Sequence, residues 1–404
     1  MSDRLETVVV GGGQAGLSVS HELTVAGVPH VVLERGRVGQ TWRGRWDSFC
    51  LVTPNLGVQL PGRPYDGDDP DGFMPRDEIV EYLDRYAASF EAPVREGVDA
   101  TSLREGPDGR LLLETSDGQI EARNVILSTG AYQRPHRPPA AASLPPGLPQ
   151  IDLEAYGNPD DLPAGAVLVV GSGQSGCQIA EELHLAGREV FLACGRAGWV
   201  PRRLNGNDFA WWLDASGALD DRVEDLPEPG ARLWGNVQAS GHDGGHDLHY
   251  RTLHAMGVTL VGHLVGADGH DALFASDLDA TMSWADQRHA KIVDGFRKHA
   301  AAAGLPWEEL DPPEPIDAEP LERIPLGRLG AVVFTTGFRP DYGSWVEFPG
   351  AFDRMGFPVH RDGASTVVPG LWFVVVHFLR KRKSSLLIGV GEDAAIVARQ
   401  IAAG

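Results

Sequence analysis

Cysteine is scarce in this chain, and its three copies form no pattern that binds a metal or carries dithiol chemistry. Only Cys50, Cys177 and Cys194 occur among 404 residues. They make no C-x-x-C motif and no metal-ligand spacing, which argues against a zinc module and against a disulfide reductase. An odd and low cysteine count is typical of a reducing compartment, so we expect a cytoplasmic protein without a metal site.

Positive charge and long apolar runs are also lacking. The chain has 35 Lys and Arg against 56 Asp and Glu, a formal net charge of −21, which argues against nucleic acid and anionic membranes as partners. No apolar run approaches the ~20 residues that span a bilayer, and the first residues enter a strand without a signal-peptide pattern. Apolar residues make up 42% of the chain, enough for the cores of two or three domains.

Glycine, by contrast, is abundant, and two glycine-rich turns carry the strongest signal. Residues 8–16 read VVVGGGQAG and residues 167–176 read VLVVGSGQSG. Each is a short apolar strand, a G-x-G-x-x-G turn and a helix start, which is the dinucleotide-binding fingerprint. Its glycines let the backbone approach a pyrophosphate, and the helix start offers unpaired N–H groups. The predicted cofactor-binding residues are Gly11, Gly13, Gln14, Ala15 and Gly16 in the first copy, and Gly171, Ser172, Gly173, Gln174, Ser175 and Gly176 in the second.

The two copies differ at the end of their second strand. The first has Glu34 there, and a carboxylate that accepts both ribose hydroxyls requires a free 2′-OH, as in FAD or NAD. The second has Cys194, followed by Arg196 and then Arg202 and Arg203. A missing carboxylate and a nearby guanidinium suit a 2′-phosphate. We therefore predict FAD at the first copy and NADPH at the second, with Arg196 and Arg203 as binding residues; an ordinary surface charge is the alternative for Arg196.

The order of apolar patterns along the chain predicts an α/β fold. A proline-rich, non-periodic stretch at 134–165 is interpreted as a linker, and the second fingerprint opens a new domain. A strand and turn follow at 331–340, and the tail ends in a strand and a helix. The predicted helices cover about 14–26, 77–90 and 392–402, and the predicted strands near the first fingerprint cover 98–103, 110–114 and 120–127.

Further motifs occur in order along nearly the whole chain. These are GQTWR at 39–43, RWD at 45–47, STG at 128–130, TTGFRP at 335–340 and RKRKSSLLIGVGED at 380–393. With the two fingerprints they resemble the class B flavoprotein monooxygenases and their bacterial CzcO-like relatives. The resemblance implies two dinucleotide-binding (Rossmann-like) domains: an FAD-binding domain at 1–160 and 326–404, interrupted by an NADPH-binding domain at 161–325.

The resemblance also implies further cofactor contacts. Asn55 is a candidate catalytic residue, although its position after Thr53-Pro54 is equally typical of a turn. Loop packing is an equally weighted alternative for Trp42 and Trp46. A helix that begins near residue 391 would direct its positive end toward the reduced flavin. The predicted contacts are Arg35, Gln40, Thr41, Trp42, Trp46, Thr53, Thr129, Gly130, Thr336, Gly337, Leu387 and Gly389.

The function that the resemblance implies is oxygenation of a small soluble substrate at a nitrogen or sulfur centre, with an amino-acid-like molecule as one candidate. FAD, NADPH and O₂ would react through a flavin C4a-hydroperoxide held away from water. One departure favours the alternative of an NADPH-dependent flavin reductase or dehydrogenase without oxygen insertion. The F-x-G-x-x-x-H sequence that usually precedes the second fingerprint in this class is absent at 147–156. A non-enzymatic flavin-bearing sensor is a third possibility, and homodimers are common among similar proteins.

Three other features invite functional interpretations that we set aside. The tract at 241–250 contains His246 and His249 but no fitting third ligand, so it is interpreted as a mobile polar loop. The basic run at 380–383 is interpreted as a solvated turn. Cys177 follows a helix start that could lower its pKa, but a packing role is preferred.

Overall fold

Two sheets with helices packed on them organise this α/β chain; the first is mixed and the second is parallel. The computed structural model describes residues 3–316, 318 and 321–404. Its α-helices are α1 (Gln14–Val25), α2 (Gln40–Arg43), α3 (Arg76–Ser89), α4 (Gln174–Leu185), α5 (Phe209–Ala215), α6 (Tyr250–Met256), α7 (Leu278–Ala303) and α8 (Val390–Ala402). Among the described residues, no helix combines the length and apolar character needed to cross a bilayer.

The first sheet combines strands from the two ends of the chain. Its central strand Asp3–Val10 lies between His30–Glu34 and Gly118–Leu127, and both neighbours run parallel to it. Val8, Val9 and Val10 are all buried because helices cover one face and the 342–357 loops cover the other. The strand order is His360–Arg361, Ala364–Ser365, Leu371–Phe373, Gly118–Leu127, Asp3–Val10, His30–Glu34 and Val94–Glu96, with Ala100–Glu105 and Leu111–Thr115 attached to Gly118–Leu127 as a meander.

The second sheet is parallel throughout and contains the second fingerprint strand, Ala166–Val170, at its centre. Its strand order is Gln150–Asp152, Leu329–Phe334, Ala166–Val170, Val190–Ala193 and Thr259–Val261. Helices α4 and α6 contribute Ile179, Leu183 and Leu253 to its core. Three small antiparallel sheets pair Gln59–Leu60 with Arg63–Pro64, Arg203–Leu204 with Asn207–Asp208, and Leu264–Ala267 with Asp271–Phe274 and Arg323–Pro325.

The predicted domain boundaries at 160 and 326 do not coincide with the boundary between the sheets. Gln150–Asp152 and Leu329–Phe334 were expected in the first domain, but they pair with each other in the second sheet. The segment before the second fingerprint therefore is not only a linker, because three of its residues form an edge strand. Such a short edge strand leaves no periodic pattern in the sequence.

The chain crosses between the sheets at a two-stranded ribbon. Arg134–Pro135 leads toward the second sheet, Phe338–Arg339 returns from it, and the two segments pair antiparallel. Next to the ribbon, the backbone N–H of His136 donates to the carbonyl of Gly337 at 2.9 Å. The outgoing and returning connections thus lie side by side, which keeps the ends of the inserted segment together.

Candidate functional site

The first glycine turn leaves open space at the start of α1. Gly11 has a φ of +108°, and a Cβ on Gly16 would lie 1.7 Å from the carbonyl oxygen of Gly11, so neither position accepts a side chain. A Cβ on Gly13 would meet nothing within 4 Å. Gly13 caps the helix without a side-chain hydrogen bond, so the first N–H groups of α1 remain available to an anion.

Glu34 lies at the end of the neighbouring strand and is fixed by two backbone donors. The N–H of Gly12 donates to its Oε2 at 2.7 Å and the N–H of Gly36 donates to its Oε1 at 2.9 Å. The side chain is buried. A carboxylate has about four acceptor positions, so these two bonds orient Glu34 and leave lone pairs for two ligand hydroxyls.

At each glycine turn, a hydroxyl at the end of the adjacent strand forms hydrogen bonds with backbone carbonyls of the turn. Ser128 Oγ donates to the carbonyl of Val10 at 2.8 Å and lies 3.2 Å from that of Gly11. In the second sheet, Thr335 Oγ1 lies 3.0 Å from the carbonyl of Val170 and 2.7 Å from that of Gly171. Each turn therefore has its own hydroxyl next to the carbonyl of its first glycine.

The C-terminal tail meets the first turn. Gln14 Nε2 donates to the carbonyl of Ser385 at 3.0 Å, and Ser385 Oγ lies 3.3 Å from His377 Nδ1. Helix α8 begins at Val390 after an N-cap, Gly389, that offers no side-chain cap. The start of α8, expected near residue 391, is thus at the same end of the first sheet as the start of α1. Leu387 is buried in the core beside it.

The second glycine turn repeats the geometry of the first. Gly171 has a φ of +105°, a Cβ on Gly176 would lie 2.0 Å from the carbonyl oxygen of Gly171, and a Cβ on Gly173 would meet nothing within 4 Å. Gly173 also caps α4 without a side-chain bond. The segment 237–238 lies beside this turn: Gln174 Nε2 donates to the carbonyl of Val237 at 3.3 Å and Gln238 Nε2 donates to that of Ser172 at 2.7 Å.

Hydroxyl groups replace the carboxylate in the second copy. Cys194 is buried at the strand end, and the N–H of Gly195 donates to Ser172 Oγ at 2.8 Å. Tyr250 donates its hydroxyl to the carbonyl of Gly195 at 2.5 Å. Arg196 follows, exposed, and it has no ion-pair partner in the part of the chain that the structure describes. Its guanidinium is therefore free for a ligand at this strand end.

The other two arginines lie in different surroundings. Arg202 is buried in an ion pair with Asp208 at 2.7 Å and lies over the ring of Phe73. Arg203 is exposed on the small hairpin with Asn207–Asp208. Within the described ranges, the structure gives Arg203 no hydrogen bond or ion pair with the second turn. Although Arg203 is close to Arg196 in sequence, the two side chains therefore do not share a partner among the described residues.

Asn55 has both ends of its amide bonded to the backbone of a neighbouring loop. Its Nδ2 donates to the carbonyl of Asp69 at 2.9 Å and its Oδ1 accepts the N–H of Met74 at 2.7 Å. These contacts give it a loop-holding role, and its catalytic role stays a prediction. Trp46 is buried against the second core and Trp42 packs on the first, so both tryptophans contribute to packing.

The remaining predicted contacts occupy several positions around the two turns. Gln133 donates to the hydroxyl of Thr129 and the carbonyl of Gly130, and Thr336 donates to the carbonyl of His136. These bonds fix the strand ends above which a nucleotide would lie. Arg35 and Thr41 are exposed, Gln40 accepts the N–H of Arg37, and Thr53 is half-buried below Gly57.

The cysteines and histidines form no redox pair or metal cluster in the described ranges. Burial raises the pKa of the Cys50 thiol to about 11 and raises that of Cys177 well above its ordinary value. The helix start near Cys177 therefore does not produce a thiolate. His246 Nε2 lies 2.7 Å from Glu181 Oε1, and the hydrogen bond that this carboxylate accepts from the ring raises the pKa of His246.

The basic run at 380–383 is not a solvated turn, because each of its cations is in an ion pair. Lys381 and Lys383 both contact Asp220, at 2.7 and 3.1 Å, and both contact Glu392. Arg382 pairs with Asp221 at 3.0 Å, and Arg380 pairs with Asp393 at 2.9 Å. The run therefore joins the 218–221 segment to the start of α8.

Several supporting residues were not recognised from the sequence. Ser128 and Thr335 could have been found from the parallel between STG at 128–130 and TTG at 335–337, which stand next to the two turns. Ser385, Tyr250 and Gln238 offer no such signal, because each comes from a distant segment and bonds to a turn only in the folded chain.

Comparison with known proteins supports the sequence interpretation. A model of the family described as pyridine nucleotide-disulphide oxidoreductase matches residues 8–215. An uncharacterized oxidoreductase described as CzcO-like, from Geobacillus kaustophilus (strain HTA426), is 30% identical over 403 residues and covers 99% of each chain. The resemblance to CzcO-like proteins inferred from the motifs is thereby confirmed.

Solved structures of similar fold cover nearly the whole chain. A flavin-containing monooxygenase from Stenotrophomonas maltophilia has a TM-score of 0.69 at 21% identity and covers 99% of both chains. A bacillithiol disulfide reductase from Staphylococcus aureus has a TM-score of 0.65 at 13% identity, also with 99% coverage of both. At these identities the likeness concerns the fold.

Proposed function

The chain belongs to the pyridine nucleotide-disulphide oxidoreductase family, and on this basis we propose that it is an FAD-dependent monooxygenase that uses NADPH. The observation that carries the proposal is the pair of glycine turns, each at an uncapped helix start with open space at its third residue, Gly13 and Gly173. One turn stands beside a carboxylate and the other does not. That difference supports a plain ribose at the first turn and a phosphorylated ribose at the second.

The first turn fits FAD. The N–H groups at the start of α1 would bind the pyrophosphate, and Glu34 would accept the adenosine ribose hydroxyls. Toward the flavin end, the start of α8 and the tail at Ser385 and Leu387 would lie along the ring. A helix start carries a partial positive charge, so α8 would stabilise negative charge on the reduced ring.

The second turn fits NADPH. The start of α4 would bind the pyrophosphate, and the exposed Arg196 would bind the 2′-phosphate as a charge-assisted pair. The sheet pairings suggest revised boundaries for the two domains. We place the FAD-binding domain at 3–135 and 338–404, and the NADPH-binding domain at 136–337, with the ribbon between them as the connection.

The cofactors supply the redox chemistry, since NADPH donates a hydride and reduced FAD activates O₂. The protein supplies position and exclusion of water. Ser128 and Thr335 hold the two turns, and the 218–221 segment is linked by ion pairs to the basic run at 380–383 that precedes α8. Among the described residues, no cysteine pair offers an alternative electron acceptor, which argues against the disulfide chemistry in the family description. The proposed substrate is small and soluble, with a nitrogen or sulfur centre.

Stopped-flow mixing of the flavin-reduced, NADP⁺-bound protein with O₂ tests the proposal. A transient C4a-hydroperoxide spectrum, followed by transfer of one oxygen atom to an amine or sulfide, is the expected result. Incorporation of ¹⁸O from labelled O₂ into the product checks the transfer.

A flavin reductase or dehydrogenase is the second candidate, and one observation favours it. In place of the usual F-x-G-x-x-x-H sequence, the chain forms the edge strand Gln150–Asp152, and the following Tyr156 donates to Glu182 at 2.7 Å. Rapid reoxidation with immediate release of H₂O₂, without a transient spectrum and for every substrate tested, would favour this candidate.

A further inference from the structure

A cleft lies between the loop at 46–50 and one face of α4. Its volume is about 160 Å³. An apolar cavity of about 150 Å³ holds one benzene molecule, so the cleft has room for a ligand of that size. Gln178, Glu181 and Leu185 line it from positions that share one face of α4. Gln174, one turn earlier on that face, belongs to the second glycine turn, so the cleft is adjacent to that turn.

The acidic groups in this cleft have no strong cation as a partner. Neither Lys nor Arg is among its lining residues. Glu182 is satisfied by hydroxyl donors, with Ser48 Oγ and Tyr156 OH both at 2.7 Å. Glu181 has a single side-chain partner in the described part of the chain, His246 at 2.7 Å, although its own side chain is only 8% exposed. A carboxylate buried to this degree favours a cationic partner.

Gln178 is a second, independent sign of a ligand. Its side chain is nine-tenths buried, at 9% exposure, and lines the cleft. Its amide has no hydrogen-bond partner within the described ranges of the chain. The amide atoms are not among the fully buried atoms that lack a partner, so they are accessible from the cleft and available to a molecule there. Its oxygen can accept a bond from an ammonium N–H that also contacts Glu181.

The opposite wall is aromatic. Trp46 and Phe49 meet edge to face with their ring centroids 4.9 Å apart. Aromatic rings attract organic cations through their negative faces. Phe49 already has one such contact, since the guanidinium carbon of Arg45 lies 5.6 Å from its centroid. The cleft therefore combines an aromatic wall, a buried carboxylate and an unpaired amide.

We propose that this cleft is a binding site for a small organic ammonium ion, whose N–H groups contact Glu181 and Gln178 and whose apolar part packs on Trp46 and Phe49. The site lies between the loop at 46–50 of the first domain and α4 of the second, beside the second glycine turn. Binding here requires neither hydride transfer nor oxygen, so the proposal stands or falls separately from the redox function.

Calorimetric titration of the purified protein with benzylamine at neutral pH tests the proposal. Benzyl alcohol, of equal size but uncharged, is the matched probe. Saturable binding of benzylamine at one site, at least roughly tenfold tighter than that of benzyl alcohol, is expected. Equal affinities, or no saturable binding of benzylamine, would overturn the proposal even if flavin reduction by NADPH proceeds normally.

Variants locate the site. Glu181→Gln and Gln178→Leu should each weaken benzylamine binding by about tenfold or more and leave benzyl alcohol binding within a factor of about two. Glu189→Gln is the control, because Glu189 is exposed beyond the C-terminal end of α4 and pairs with Arg328. Thermal unfolding of each variant checks that it is folded. Unchanged benzylamine affinity in folded Glu181→Gln would contradict the assignment of the cleft, and the probe comparison on the wild-type protein decides the question if that variant does not fold.

Discussion

Glu34 accepts the backbone N–H of Gly12 at 2.7 Å, which joins the end of one strand to the middle of the glycine turn on the next. In the second copy, the corresponding connection runs from Gly195 to the hydroxyl of Ser172 at 2.8 Å. The same backbone geometry is thus tied by an anion in one copy and by a neutral group in the other. The proposed assignment of FAD to the first turn and NADPH to the second rests on this difference of one negative charge between the two copies.

Substitution at the two open glycines should separate the two cofactors. Gly13→Val should yield a folded protein without flavin, because a branched side chain would fill the open space expected to hold the pyrophosphate. Gly173→Val should retain flavin but lose NADPH binding for the same reason at the second turn. Visible absorbance of the purified variants and titration with NADPH measure both effects.

The paired design contains its own control, since each variant tests the site that the other leaves intact. Gly16→Val is unsuitable, because its side chain would collide with the Gly11 carbonyl and disrupt packing of α1. If Gly13→Val retained its full flavin content, the proposed binding of FAD at the first turn would be wrong.

Arg196→Ala should raise the KM for NADPH by roughly 10- to 100-fold, the effect of losing one charge-assisted hydrogen bond. The KM for NADH should change little, because NADH lacks the 2′-phosphate. Steady-state reduction of the flavin by each nucleotide measures the ratio.

Arg203→Ala is the informative comparison, because Arg203 is exposed on a hairpin without contact to the second turn among the described residues. If Arg203→Ala raised the KM for NADPH more than Arg196→Ala does, the 2′-phosphate would be bound by the hairpin and not by Arg196. Equal effects of Arg196→Ala on both nucleotides would eliminate its proposed role.

Burial of His377 should make the protein less stable in mild acid. Burial, followed by the charges of Arg232 and Arg382, lowers its pKa to about 4, against about 6.5 in an unfolded chain. As the pH falls from about 6.5 toward 4, the unfolded chain therefore takes up a proton that the folded protein excludes, and the free energy of unfolding decreases.

Urea unfolding of wild type and His377→Asn at pH 7 and pH 5 measures this contribution. The variant should lose less stability between the two values, while the exposed His270→Asn should follow the wild type. An identical loss in His377→Asn and wild type would show that the ring does not contribute.

The hydroxyls under the glycine turns should contribute measurably to stability. Thr335→Val and Ser128→Ala each remove a buried donor from two backbone carbonyls, and leaving such groups unsatisfied costs about 1–3 kcal/mol. Thr101→Val, at an exposed position, should change stability by less than about 0.5 kcal/mol. Chemical denaturation compares the three, and a loss in Thr335→Val no larger than that in Thr101→Val would show that the hydroxyl is dispensable.

The sequence predicted the parts of the fold that depend on local constraints. The two turns were identifiable because Gly11 and Gly171 need a positive φ and Gly16 and Gly176 must admit the helix closely. These requirements act within a few residues and restrict residue type directly. The long helix at Arg76–Ser89 was predicted for the same reason, through its apolar periodicity.

Features that depend on distant segments were not predictable. The edge strand Gln150–Asp152 exists because it pairs with Leu329–Phe334, and nothing in its own three residues indicates a strand. The basic run at 380–383 was interpreted as solvated because its partners Asp220 and Asp221 lie far away in sequence. In both cases the deciding interaction is non-local, so a single sequence contains no pattern for it.

Anaerobic titration of the purified, flavin-loaded protein with NADPH, followed by flavin absorbance, tests the central claim most directly. The account predicts that the protein binds FAD and that about one equivalent of NADPH bleaches it, with NADH reacting much more weakly. A protein that neither retains FAD nor can be reconstituted with it, or bound FAD that NADPH does not reduce, would contradict the account.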